Sequence, residues 1–157
     1  MLCTAHFHLL VNHFPILGIF FGLILAILAL ILQNRTLRFT ALGFLLFSSL
    51  TFLPSNATGE QAEEQIEHLD GVSHTLIHEH EEKAESALPF AIIVGVLAII
   101  GIILEAKKHK LPQALLLVNI LMALWLMYLL AQVATSGGEI RHPEIRKDFK
   151  PIMKKNG

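Results

Sequence analysis

The chain has 157 residues, 54% of them hydrophobic and 16% charged, with a net charge of −1 and a mean hydropathy of +0.59. That is too apolar for an ordinary soluble domain, and it supplies no bulk positive field for nucleic acid. The single cysteine, Cys3, excludes an internal disulfide, a multi-cysteine zinc or iron–sulfur centre, and covalent haem attachment through paired cysteines.

Four stretches offer the ~20 mostly apolar residues needed to cross a ~30 Å hydrocarbon layer: residues 14–32, 37–54, 88–104 and 111–133. The expected fold is all-α, an integral membrane up-down-up-down four-helix bundle. Short connections make consecutive helices antiparallel neighbours and leave helices one and three diagonal. Residues 1–140 form one transmembrane domain, with a helical connector over 55–87, and residues 141–157 form a basic tail.

His6, His8 and His13 precede the first span. His13 falls in its opening turns, where an unpaired polar ring is costly. The run lacks a basic leader region and a small-residue cleavage site, so it is expected to persist as a helix. Gly18, Gly22 and Ala26 follow the small-xxx-small spacing that lets a second backbone come close. The second span is cleanly apolar only over 39–53 and is expected to draw in flanking polar positions.

The connector sets nine acidic residues against one basic residue, Lys83. Glu60, Glu63, Glu64 and Glu67 fall on one helical face, and Ala62, Ile66 and Leu69 on the other, predicting an interfacial amphipathic helix. Asp70-Gly71 breaks it, and Ser73 is placed to cap a new helix running through His74, His78, Glu81 and Glu85 into the third span. Pro89 is expected to kink that helix. Ala91, Gly95 and Ala98 line a second small-residue stripe, and Asn119 in the fourth span is expected to hydrogen-bond across the bundle.

Arg35 and Arg38 in the first short loop, and Lys107, Lys108 and Lys110 in the second, place both loops in the cytoplasm by the positive-inside rule. The acidic connector and both termini then lie outside, although the basic residues of the tail pull the other way. Eight of the nine histidines share the outer side, with His109 opposite. Their number follows from how much chain lies there; their depth and company carry the information.

Three readings compete for that cluster. It can be a solvated polar rim. It can hold a noncovalent haem b, with His13 and His80 on diagonal helices as axial ligands and Phe7, Phe14, Phe20 and Phe90 as walls. It can hold a transition metal such as Fe, Zn or Cu through His13, Glu60, His80, Glu81 and His142, a mixed imidazole and carboxylate set. His8 and His142 are supplementary ligands, and Glu60 and Glu81 can instead orient the rings. "HEHEEKAE" (78–85) contains neither HExxH nor ExxH, so the zincin and di-iron signatures are not met. No GxSxG elbow or P-loop supports nucleophilic or nucleotide chemistry.

The functional expectation is an electron-transfer or accessory subunit of a larger membrane complex. The alternative is a structural or assembly subunit, or a metal-handling membrane protein without redox function. Conduction is disfavoured because the span interiors carry chiefly Asn119 as a polar group.

The stretches "HLLVNHFPILG" (8–18), "TGEQAEE" (58–64), "GVSHTLIHEHEEKA" (71–84) and "GGEIRHPEI" (137–145) resemble a bacterial family of small four-helix membrane proteins whose domain has no settled function. The resemblance covers about residues 5–145. Similar domains occur fused to Rieske or cytochrome c modules, which implies redox surroundings and a place in the bacterial inner membrane. Carried over by position, the family-like polar residues are His8, Asn12, His13, Glu60, Glu64, His80, Glu81, His142 and Glu144. His6, His74 and His78 look particular to this chain, and these 157 residues carry no Rieske or cytochrome c motif.

Overall fold

The computed structural model describes residues 4–69, 71–107 and 113–146, and all regular structure in them is helical. The elements are α1 (Thr4–Val11), α2 (His13–Leu32), α3 (Arg35–Ala57), α4 (Gly59–Glu64), α5 (His74–Ala106), α6 (Gln113–Arg141) and a closing 3-10 turn (Pro143–Ile145). Four helical runs are long and apolar enough to cross a membrane: Thr4–Leu32, α3, α5 and α6. The expected spans fall within them, apart from residues 111 and 112, which lie outside the described residues.

Each helix outruns its apolar stretch. α3 takes in Arg35 and Thr36 at its start and Ser55 to Ala57 at its end, as the short second span requires. α5 begins fourteen residues before Leu88 and runs unbroken through Pro89, the residue expected to kink it. The expected connector helix is shorter than its amphipathic pattern, because regular helix stops at Glu64 and turns follow. Gly71 takes a φ of +81, a left-handed conformation that glycine adopts without steric cost. Ser73 occupies the N-cap of α5 as expected, but its side chain makes no capping bond.

The four long helices close into a ring: α2 packs on α3 and α6, α5 packs on the same two, and α2 and α5 stand diagonally. Ile19, Leu45, Val94 and Leu126 meet in the core, while Phe20, Phe44, Ile99 and Leu121 are exposed. In water such a surface would be an aggregation hazard; against lipid it is the expected exterior. The glycine spacing on α2 has its expected effect. A Cβ at Gly18 would stand 3.0 Å from the Ser48 Cα, and one at Gly22 would stand 2.7 Å from the Leu45 side chain. Ser48 adds a cross-helix bond, its hydroxyl donating to the Pro15 carbonyl at 2.7 Å.

Glu105, at the end of α5, is 1% exposed. It accepts from Arg38 Nε at 2.7 Å and Arg35 Nε at 3.1 Å, and its backbone carbonyl accepts from Arg35 Nη2. Arg35 and Arg38, expected as topogenic surface charges, therefore also clamp α3 to α5. Asn119 is equally buried, and neither amide atom finds a hydrogen-bond partner among the described residues, so the expected cross-bundle bond is not formed. His109, Lys108 and Lys110 lie outside the described residues, as does the tail beyond Arg146.

Candidate functional site

One end of the bundle gathers α1, the end of α3, α4, the start of α5 and the end of α6. α1 packs on both α3 and α4, and α4 reaches α5. His8 projects from α1 with its Nδ1 3.0 Å from the Ser55 carbonyl and 3.2 Å from Thr58 Oγ1. A carbonyl only accepts, so Nδ1 carries the proton and donates. Thr58 donates its own hydroxyl proton to the Pro54 or Ser55 carbonyl, so it too accepts from the ring. The lone pair of His8 is therefore on Nε2.

His80 on α5 reaches the same state by another route. Its Nδ1 lies 3.1 Å from Ser136 Oγ on α6. The Ser136 hydroxyl is also within bonding distance of the Gln132 and Val133 carbonyls; when it donates to one of them, its oxygen accepts from Nδ1–H and the lone pair is left on Nε2. Gly137 makes room for this ring, because a Cβ there would stand 3.0 Å from His80 Cε1. The two rings lie within electrostatic reach of one another.

Glu81 of α5 acts on the His80 ring and links it to Glu63 of α4. Glu63 is 9% exposed, against the expectation that it lies on an acidic face with Glu60 and Glu64. It faces the Glu81 carboxyl on α5, and burial first, then that neighbour and Glu60, push its own carboxyl up to about 8. It is therefore protonated at neutral pH. Its Oε2 is buried without a partner among the described residues, and so is Asn12 Oδ1, one turn beyond His8.

Of the residues singled out in the sequence, the structure brings together His8, His80 and Glu81, with Glu60 exposed at the edge. His13 stands apart: it is exposed, and its Nδ1 donates to the Leu9 carbonyl of the preceding turn at 3.1 Å. His142 is exposed too, bonded to Glu144 at 2.9 Å. The backbone N–H of Glu144 and then the His142 ring hold that carboxyl below its usual range. His68, His74 and His78 are exposed and pair loosely with Glu67, Glu81 and Glu82.

Glu63, Ser136 and Gly137 were not legible as site residues. A signal for Glu63 did exist, since three residues of helix place it about 60° from Ile66, at the border of the apolar face. The Ser136 and Gly137 roles depend on which helix stands opposite α6, which no local pattern encodes.

Among the described residues, no three His, Cys, Asp or Glu side chains form a group able to hold a metal ion. The imidazoles of His8 and His80 are each held by a neighbouring element, two donors where a bare-ion site takes at least three. Compared with protein-family models, with curated proteins and with solved structures, the chain matches none of them.

Proposed function

We propose that this chain is an electron-transfer or accessory subunit of a larger membrane complex, holding a haem b or a transition-metal ion at the His8 and His80 end of its bundle. In this reading the helices run up-down-up-down in the bacterial inner membrane. The two short basic loops lie in the cytoplasm, and the acidic connector, the His/Glu cluster and both termini lie outside.

The supporting observation is the matched state of two rings on separate helices. Nδ1 of each ring is held by a neighbouring element, the Ser55 carbonyl for His8 and Ser136 Oγ for His80. Outer bonds of this kind fix the tautomer and orientation of ligating histidines. When bound, the haem or redox-active ion would supply one-electron chemistry. The chain's own part is to aim the rings and to hold a proton on the Glu63–Glu81 pair. Release of that proton would make a carboxylate available as a third donor, so loading of a bare ion would be proton-linked.

A structural or assembly subunit is the second reading. Phe14 and Phe47 (6.2 Å between ring centroids), Phe20 and Phe21 (5.4 Å) and Phe21 and Phe44 (6.1 Å) build an exposed aromatic face across α2 and α3 that suits lateral packing against another membrane helix.

The test is purification in mild detergent, followed by a reduced-minus-oxidised absorbance spectrum and elemental analysis of the same sample. A haem band or near-stoichiometric metal is expected, abolished by His8→Ala and by His80→Ala and retained in His13→Ala. Absence of both signals overturns the cofactor reading in favour of the assembly subunit.

A further inference from the structure

A cavity of about 540 Å3 opens between the first turns of α5 and the last turns of α6, apart from the His8 and His80 rings; its lining includes Glu79, Lys83, Gln132, Thr135, Glu139 and Arg146. Two groups of each sign face it, and none of the four forms an ion pair among the described residues. Arg146 is anchored rather than neutralised: its Nε donates to the Glu139 carbonyl at 2.8 Å and its Nη2 to the carbonyls of Ile140 and Gly71. The remaining amino group keeps two N–H donors. A simple anion would be repelled by Glu79 and Glu139, and a simple cation by Lys83 and Arg146; a zwitterion satisfies both pairs.

Depth narrows the ligand. Lys83 lies five residues before the apolar stretch that starts at Leu88, about 7.5 Å along the helix, and Thr135 lies two residues past Val133, about 3 Å. The headgroup layer adds roughly 5–8 Å to each side of the hydrocarbon core, so the inner edge of the cavity lies at headgroup level, with Glu139 about 9 Å and Glu79 about 13.5 Å out on its water side. Inward of the cavity the same face of α6 turns aromatic. Trp125, Tyr128, Gln132, Thr135 and Glu139 recur at three- and four-residue steps, one line along α6. Phe90 of α5 meets Trp125 edge-on at 6.1 Å, and Trp125 lies 5.4 Å from Tyr128. Trp125 and Tyr128 are about half exposed, so the helix face that borders the polar cavity carries on as an outward aromatic surface.

The cationic end is a primary amine. No aromatic residue lines the cavity, and a quaternary ammonium is recognised by aromatic faces, whereas an ammonium with three N–H donors matches two carboxylates. We propose that the α5–α6 cavity, with the aromatic surface inward of it, is a binding site for a phospholipid whose headgroup joins a phosphate to a primary amine, of the phosphatidylethanolamine type. Lys83 and Arg146 take the phosphate, Glu79 and Glu139 take the amine, and an acyl chain lies along Phe90 and Trp125.

Trp125 is the one tryptophan of the chain, so its fluorescence reports this surface alone. The protein in detergent is titrated with phosphatidylethanolamine, phosphatidylcholine or phosphatidylglycerol bearing brominated acyl chains. Several-fold stronger quenching by the ethanolamine lipid is expected. Lys83→Gln with Arg146→Gln should reduce quenching to the phosphatidylcholine level. Glu79→Gln with Glu139→Gln should instead raise phosphatidylglycerol to parity, a gain that a misfolded variant would not show. Equal quenching by all three lipids, or an unchanged preference in both double variants, overturns the proposal. Displacement of the lipid by equimolar free phosphoethanolamine also overturns it, since that would make the cavity a site for a soluble zwitterion.

Discussion

Glu63 on α4 and Glu81 on α5 bring two carboxyl groups to face one another, an arrangement that favours a proton on one of them. This contact fastens a one-and-a-half-turn helix, too short to persist alone, to the long helix that bears His80.

That proton gives stability a defined pH dependence. The folded chain keeps Glu63 protonated up to about pH 8, whereas the unfolded chain releases that proton near the ordinary 4.5. The contribution is therefore complete below about 4.5, declines as pH rises towards 8 and is level beyond. The unfolding temperature in detergent should fall across that window, and Glu63→Gln should flatten the fall. Parallel curves for the two proteins would show that another group is responsible.

Helix approach at α2 and α3 should be sensitive to a single methyl group. Gly18→Ala drives a Cβ to 3.0 Å from the Ser48 backbone, an overpacking expected to cost about 1–3 kcal/mol. Gly43→Ala meets nothing within 4 Å and should be neutral or stabilise by roughly 0.5–1 kcal/mol through lost unfolded-state freedom. Denaturant titration in mixed micelles separates the two; similar effects would contradict the close packing.

The Glu105 clamp is unequal. The Arg35 side chain is 54% exposed and that of Arg38 is 20% exposed. Arg35→Ala should cost no more than about 1 kcal/mol, whereas Arg38→Ala approaches the ~3–5 kcal/mol of a broken buried pair. The same titration measures both, and the reverse ranking would refute the assignment.

Asn119 offers a stabilising substitution. Its amide is buried with both polar atoms unsatisfied by the described residues, an arrangement that typically costs about 1–3 kcal/mol. Asn119→Leu, with the same number and branching of side-chain heavy atoms, should raise the unfolding temperature. A fall would mean that the amide has a partner such as internal water.

What the sequence by itself determined are the features that depend on neighbours along one helix. The four apolar helices, the Gly18 and Gly22 contact face, the break at Gly71 and the start of α5 at Ser73 were all legible, because hydropathy, Cβ size and backbone freedom act over one or two turns. The sequence also expected His8, His80 and Glu81 at one end of the bundle, which is where they lie. Only the tertiary structure decided which ring turns inward. The sequence favours His13 as a ligand and leaves His8 supplementary, yet His8 finds the end of α3, at Ser55 and Thr58, while His13 stays bonded to its own helix at Leu9. Glu63 and Glu105 likewise read as surface charge until a second element covered them. The burial of a polar side chain depends on what a distant part of the chain places against it, and that pairing is set by the packing of whole helices, not by the residues beside it.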